Sequence, residues 1–80
     1  MPLYFFDTAD GVYARDTNGM EIKDDRMAKL EAIRYAGIVL SGEPDVLNEG
    51  TFQVFVSNED AKRLFTICVT LEGGRLAGDV

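Results

Sequence analysis

The sequence predicts an α+β domain with the element order ββαββ, in which one helix packs across one face of a small antiparallel sheet. Three observations support this prediction. Residues 3–15 are rich in aromatic and β-forming residues, residues 26–40 are a long run of helix formers, and residues 51–57 alternate between two sets of side chains. Because two hairpins flank a single amphipathic helix, we expect both hairpins to contribute to one sheet.

The amino-terminal segment predicts the first hairpin. Residues 3–8 and 12–15 favour strands, and Asp10-Gly11 between them supplies a residue that tolerates positive φ. A second turn signal follows at residues 16–19. Residues 20–22 then predict a short return to extended structure.

The helix has clear start and stop signals. Asp24 is the predicted N-cap, because a carboxylate there accepts hydrogen bonds from free amide groups and complements the positive end of the helix dipole. We expect the helix to run from Arg26 to about Leu40. Gly42 is expected to stop it in the left-handed conformation, and Pro44 cannot continue it. Residues 41–50 are therefore expected to form a loop.

Residues 51–57 and 63–71 predict the second pair of strands, joined by the polar connection at residues 58–62. In both strands apolar residues recur at every second position, which is typical of half-buried strands. The predicted core face consists of Phe52, Val54, Val56, Phe65, Ile67, Val69 and Leu71. We expect a single domain over residues 1–72 and a flexible tail over residues 73–80, which has little to anchor it.

Composition and charge exclude several classes of function. The chain has 80 residues and a mass of 8.8 kDa, which leaves room for one domain. Fourteen acidic against eight basic residues give a net charge of −6, which argues against nucleic acid and membrane surfaces as partners. The chain has no histidine, so serine–histidine and cysteine–histidine catalysis and ordinary zinc sites are excluded. We therefore expect a protein that is not an enzyme and has no cofactor, metal or small-molecule ligand.

No targeting or membrane-spanning signal is visible. The first residues contain neither a basic segment nor a long apolar run, and no stretch reaches the roughly 18–20 apolar residues of a membrane span. Cys68 is the single cysteine and cannot form an internal disulfide, which fits a reducing compartment. We expect a cytoplasmic protein with Cys68 as a buried, small apolar residue.

The predicted helix has two apolar faces. A helix on one sheet needs only one apolar stripe roughly 100° wide, so something must cover the second. Two explanations are open: residues 41–50 or Leu76 of the tail fold over it, or a partner chain covers it, most simply a second copy. The first face, of mostly small residues, contains Ala28, Ala32, Tyr35, Ala36 and Val39, and the second contains Leu30, Ile33, Gly37 and Leu40.

The sheet face that points away from the helix is a second candidate surface. If Leu3 and Phe5 of the first strand point outward, they lie beside residues of the last two strands, and an exposed apolar patch of this kind often marks an interface. A strand register that differs by one residue would turn these side chains inward. The outward residues of the last two strands are Phe55, Leu64 and Cys68. The predicted interaction residues are Leu30, Ile33, Leu40, Phe5, Phe55 and Leu64.

Six carboxylates crowd the first 25 residues: Asp7, Asp10, Asp16, Glu21, Asp24 and Asp25. Turns and the helix cap account for three of them. The others suggest an acidic patch for a basic partner. A calcium loop is a further alternative, but its spacing fails, because glycine follows Asp16 at the fourth rather than the sixth position. Acid–base catalysis by paired carboxylates needs a desolvating pocket, and the short predicted loops build none.

Two motifs resemble a known family. Residues 1–7, Met1-Pro2-Leu3-Tyr4-Phe5-Phe6-Asp7, resemble the opening MP-x-Y-Y/F-F-D of a family of short alphaproteobacterial proteins. Residues 16–32 resemble its D-x-x-G-x-E-L-x-D and A-R-x-E-A pattern, and residues 54–60 resemble its V-x-V-x-D/N-E-x hairpin, with Ala61 where glycine is usual. The resemblance covers about residues 1–71.

That family is a domain of unknown function, so the resemblance implies a compact bacterial domain and assigns no catalytic or ligand residue. Our leading hypothesis is a non-enzymatic protein–protein interaction module that self-associates as a homodimer or homo-oligomer. The alternative is a regulatory binder of a basic protein through its acidic hairpin, similar in layout to antitoxins of the hic type.

Overall fold

The structure, a computed structural model, describes residues 1–72 and confirms the α+β prediction of one helix on an antiparallel sheet. The strands are β1 (Leu3–Ala9), β2 (Tyr13–Ala14), β3 (Met20–Glu21), β4 (Thr51–Ser57) and β5 (Arg63–Thr70). The helix α1 covers Asp25–Gly42, and a 3₁₀ helix covers Pro44–Glu49. The predicted tail at residues 73–80 lies outside the described residues.

The strands form one sheet in the order β2-β1-β4-β5, and β3 also pairs with β1. All of the pairs are antiparallel. In the centre of the sheet Phe6 lies opposite Val56 and Thr8 lies opposite Val54. This pairing of β1 with β4 joins the two predicted hairpins, so the sheet depends on contacts between distant parts of the chain.

The core lies between α1 and the inner face of the sheet. Val54 and Val56 are completely buried on β4, as the alternation predicts. They face a helix stripe of alanines, whose small side chains let the helix backbone approach the sheet. Tyr35, predicted on the same stripe, is 41% exposed at its margin. The buried cluster consists of Tyr4, Ile22, Ala28, Ala32, Ala36, Phe52, Val54 and Val56.

The helix begins as predicted but ends differently. Asp24 is the N-cap, and its Oδ1 accepts a hydrogen bond from the Met27 amide at 2.9 Å. Gly42 is still helical and has no positive φ, so the predicted left-handed stop is wrong. Instead the Glu43 amide closes the helix by donating to the Val39 carbonyl at 2.8 Å. Neither helix of residues 1–72 has the length and apolarity needed to cross a membrane.

The predicted loop at residues 41–50 is wrong, because most of it forms the 3₁₀ helix. Pro44 starts this helix, where the amide that proline lacks is not needed. Val46 and Leu47 are half-buried and pack against the core together with Leu40. The segment therefore extends the core at the carboxyl end of α1.

A β-bulge changes the expected pattern in β5. Val56 lies opposite Phe65, whereas the next residue, Ser57, lies opposite Arg63. Leu64 therefore has no partner in this ladder and packs against the core, which corrects its predicted place on the outer face. Arg63 takes the outer-face position instead. Leu71 lies beyond the strand and is 43% exposed, so its predicted place in the core is also wrong.

Cys68 is exposed, which corrects the expectation of a buried thiol. It lies opposite Gln53 on the outer face, and the Gln53 Nε2 donates a hydrogen bond to the Cys68 Sγ at 3.1 Å. The inner positions on either side of it belong to Ile67 and Val69. The same alternation that turns those side chains inward therefore turns Cys68 outward.

Candidate functional site

The side of α1 that points away from the alanines carries four large apolar side chains, which we call the helix patch: Met27, Leu30, Ile33 and Ile38. Their exposed fractions are 42%, 47%, 47% and 54%, respectively. Sequence reasoning placed Leu30 and Ile33 on an apolar face that needs a cover, and the structure leaves both exposed. Met27 and Ile38 were missed, although they lie three residues before and eight residues after Leu30, spacings that place each of them near Leu30 on a 3.6-residue helix.

Leu40 does not belong to the helix patch. It is half-buried and packs against the core, beside Val46 and Leu47 of the 3₁₀ helix. Leu40 therefore contributes to the core and needs no cover from a partner. Leu30 and Ile33, in contrast, remain exposed.

Gly37 opens a gap within the helix patch. A Cβ built on Gly37 would meet no atom within 4 Å, so the helix backbone is accessible at this point. One turn later the Ser41 hydroxyl donates to the Gly37 carbonyl at 2.9 Å. Glycine inside a helix costs about 1 kcal/mol relative to alanine. Glycine at this position therefore lowers the stability of the isolated helix and leaves its backbone exposed.

Charges around the helix patch differ in sign from the protein as a whole. Three basic residues, Arg26, Lys29 and Arg34, stand in α1 against Asp25 and Glu31. The Arg34 guanidinium pairs with Glu31 at 3.0 Å. The helix is therefore slightly positive in a chain whose net charge is −6.

The outer face of the sheet contains an open cleft of about 790 Å³, which we call the sheet cleft. A second cleft of about 440 Å³ lies beside α1. The expectation that so small a domain builds no pocket is therefore wrong. Residues 13–17 after β1 and residues 57–63 at the β4–β5 turn line the sheet cleft together, a non-local arrangement that residue spacing does not predict. The walls of the sheet cleft include Phe5, Asp7, Tyr13, Arg15, Asp16, Glu59 and Arg63.

Aromatic and guanidinium groups form one side of the sheet cleft. The Arg63 guanidinium lies 4.3 Å from the centre of the Phe55 ring, a cation–π contact. The Tyr13 ring lies 5.9 Å from the same ring. Phe5 and Phe55, both predicted interaction residues, are half-buried here and do not protrude as an apolar patch.

The carboxylates of the first hairpin already accept hydrogen bonds. Asp7 accepts them from the Tyr13 hydroxyl and from the Asp16 amide. Asp16 accepts them from the amides of Phe6, Asn18 and Gly19 at 3.0–3.1 Å. Glu59, at the other end of the cleft, accepts one from the Leu3 amide at 3.1 Å. These carboxylates therefore hold the backbone of the cleft in place.

The same bonds shift two pKa values. Burial opposes ionisation of Asp16, but the amides of Gly19, Phe6 and Asn18 outweigh it, so the pKa of Asp16 lies below its ordinary value. The hydrogen bond to Asp7 raises the pKa of Tyr13, and the guanidiniums of Arg63 and Arg15 oppose this rise. Both guanidiniums therefore act on the Tyr13 hydroxyl across the cleft.

The acidic cluster of the sequence is spread over turns and caps. Asp10 accepts a hydrogen bond from the Val12 amide at 3.3 Å, and Asp24 caps the helix. Within residues 1–72 no group of three cysteine, aspartate or glutamate side chains is arranged to hold a metal ion. The turn chemistry expected of Asp10, Asp16 and Asp24 is confirmed.

Comparison with known proteins gives a family but no activity. A family model described as "Domain of unknown function (DUF6894)" matches residues 3–70, from the start of β1 to the end of β5. This match confirms the resemblance to an uncharacterised domain family. No curated protein and no solved structure matches the chain.

Proposed function

The chain belongs to the DUF6894 family, a domain of unknown function. From the exposed side chains of α1, we propose that the protein is a protein–protein interaction module that self-associates through the helix patch. One observation carries this proposal: four large apolar side chains of one helix are each 42–54% exposed. In a monomer these exposed apolar side chains contribute little to stability, whereas burial in an interface removes them from water and stabilises the complex.

Burial of the helix patch supplies part of the free energy of dimerisation. Complete burial of one such side chain stabilises by roughly 1.5–3 kcal/mol, so burying the exposed half gives about 1 kcal/mol. Eight side chains across a two-fold interface then give roughly 8 kcal/mol, against an association cost on the order of 4–15 kcal/mol. The net gain from apolar burial is therefore at most about 4 kcal/mol, which falls short of the roughly 8 kcal/mol of a micromolar dissociation constant, so the proposed dimer also depends on polar contacts around the helix patch.

The arrangement that fits best is an antiparallel pair of α1 helices around a two-fold axis. The open backbone at Gly37 would let the two helices approach closely. An antiparallel crossing also opposes the two helix dipoles, which is favourable. The helix dipoles and the open backbone therefore both support a second copy as the occupant.

The outer sheet face is a weaker interface candidate. Leu64 packs against the core, and Phe5 and Phe55 lie half-buried beside the Arg63 guanidinium. The alternative role, capture of a basic partner by the acidic hairpin, also draws less support from the geometry. Asp7, Asp10 and Asp16 already accept hydrogen bonds from their own hairpin.

The proposal includes a non-catalytic role in the cytoplasm. The absence of histidine from the chain and the exposed, unpaired Cys68, which suits a reducing compartment, support it.

Sedimentation equilibrium at micromolar concentration tests self-association. The expected result is a mass that rises with concentration towards twice 8.8 kDa. A mass of 8.8 kDa at every concentration contradicts the proposal.

A further inference from the structure

We propose that the sheet cleft is a binding site for a monoanionic carboxylate carried on an aromatic or other planar apolar group. The site is independent of the helix patch, because its walls come from the outer face of the sheet and from the first hairpin. Its volume of about 790 Å³ lies within the range of roughly 300–1,000 Å³ that is usual for ligand pockets.

The donors of the sheet cleft are unused. Among residues 1–72 the side chains of Arg15 and Arg63 form no ion pair, and neither guanidinium donates a hydrogen bond to another described residue. Arg63 is nevertheless held in position, since its guanidinium carbon lies 4.3 Å from the centre of the Phe55 ring. A cation–π contact uses the charge of the guanidinium and needs none of its N–H donors.

The acceptors of the cleft, in contrast, are already engaged. Asp7 and Asp16 accept hydrogen bonds from within the first hairpin, and Glu59 accepts one from the Leu3 amide. A ligand that completes the hydrogen bonding of this site must therefore bring acceptors. A carboxylate matches the planar, two-pronged N–H edge of a guanidinium.

The charge of the walls selects among anions. Three carboxylates line the cleft beside two guanidiniums, so the surroundings of the arginines are slightly negative. A phosphate dianion or a nucleic-acid strand would be repelled by these carboxylates, whereas a single carboxylate directed at the guanidiniums is tolerated. The site therefore fits a monoanion.

The remaining wall is aromatic. Phe5 is half-buried and Tyr13 is 53% exposed, and both side chains line the cleft. Rings of this kind pack against planar apolar groups. Such a carboxylate exists both in small aromatic acids and at the free carboxyl terminus of a peptide that ends in phenylalanine.

The β-bulge supplies the reason that Arg63 faces this site. Without it, simple alternation would put Leu64 on the outer face and turn Arg63 inward. Bulges often redirect a side chain next to a binding site. The inserted residue therefore replaces an apolar side chain by a guanidinium beside Phe55.

Titration of the ¹⁵N-labelled protein followed by amide chemical shifts tests the proposal. The probes are phenylacetate, phenyl phosphate, benzylamine, and a short peptide ending in phenylalanine with either a free or an amidated carboxyl terminus. We expect saturable shifts in β1, β2 and the start of β5 with phenylacetate or with the free-carboxyl peptide. We expect none with benzylamine or the amidated peptide, and much weaker ones with phenyl phosphate. The stronger of the two carboxylate probes identifies the source of the ligand.

Two variants locate the site. Arg63→Gln and Arg15→Gln should each weaken binding about tenfold, because each removes a charged donor. Arg34→Gln, on the helix, is the matched control and should leave binding unchanged. Absence of saturable shifts with both carboxylates, or equal binding by wild type and the Arg63→Gln variant, would overturn the proposal. The amide spectrum of each variant without probe shows whether the fold is intact, and Arg63→Lys or Arg15→Lys replaces the variant at the same position if that variant unfolds.

Discussion

The Tyr4 hydroxyl donates a hydrogen bond to the Asp25 Oδ1 at 2.6 Å and so joins strand β1 to the first turn of α1. The Tyr4 side chain is only 3% exposed, and a buried tyrosine needs a partner for its hydroxyl. Asp25 also stands where the positive end of the helix dipole favours a carboxylate. This contact therefore adds to the core packing that holds the helix carrying the helix patch against the sheet.

The hydrogen bond to Asp25, followed by burial, raises the pKa of Tyr4 to about 12 from 10.0. Because the folded-state pKa is raised, the stabilisation is complete below pH 10.0 and is lost as the pH rises towards about 12. We expect Tyr4→Phe to be less stable than wild type at pH 7 and to lose less stability over this alkaline range. Urea denaturation at several pH values measures both effects. Tyr35→Phe, at an exposed position, is the control, and identical curves for Tyr4→Phe and wild type would contradict the assignment.

Gly37→Ala should affect stability and association in opposite directions. The added Cβ meets no atom within 4 Å, so the substitution should stabilise the monomer by about 1 kcal/mol through helix propensity. The same Cβ should weaken dimerisation, because it fills the gap at which two helices approach. Gly42→Ala is the matched control, since it is also helical and open but lies outside the helix patch. Thermal unfolding and sedimentation measure the two effects, and unchanged association in Gly37→Ala speaks against helix contact at this position.

Asp16→Ala should destabilise the protein by about 1 kcal/mol, because three amides lose their acceptor at the turn after β2. Asp60→Ala removes an exposed carboxylate of the same charge and is the control. Urea denaturation of both variants measures the difference. Equal stability of the two would show that Asp16 is free to serve a partner, as the acidic-hairpin alternative requires.

Cys68 should react stoichiometrically with a water-soluble thiol reagent in the folded protein, because its side chain is exposed on the outer face of the sheet. A spectrophotometric thiol assay without denaturant, compared with the same assay in denaturant, measures accessibility. The two assays should give the same number of thiols, with only a modest difference in rate. A thiol that reacts only after unfolding would place Cys68 in the interior.

Much of the fold follows from local patterns. The alternation of Phe52, Val54 and Val56 predicts the buried face of β4, and Asp24 predicts the start of the helix, because both signals lie within a few residues. The 3₁₀ helix was missed because so short an element has no periodicity of its own.

The candidate sites were predicted less completely. Leu30 and Ile33 follow from helical spacing, whereas the place of Leu40 depends on how the 3₁₀ helix folds back. The bulge at Leu64 depends on the register between β4 and β5, and the sheet cleft depends on the pairing of β1 with β4. Contacts of this kind depend on the pairing of the whole sheet, so the spacing of residues along the chain does not predict them.

The most direct test of the central claim is sedimentation equilibrium of wild type, Ile33→Asp and Val12→Asp at micromolar concentration, with circular dichroism of each. Val12 is 73% exposed but lies in the first hairpin, so it receives the same substitution outside the helix patch. We predict that wild type and Val12→Asp approach twice 8.8 kDa, while Ile33→Asp keeps its helical spectrum and sediments at 8.8 kDa. A monomeric wild type, an Ile33→Asp variant that still dimerises, or one that unfolds would contradict self-association through this helix.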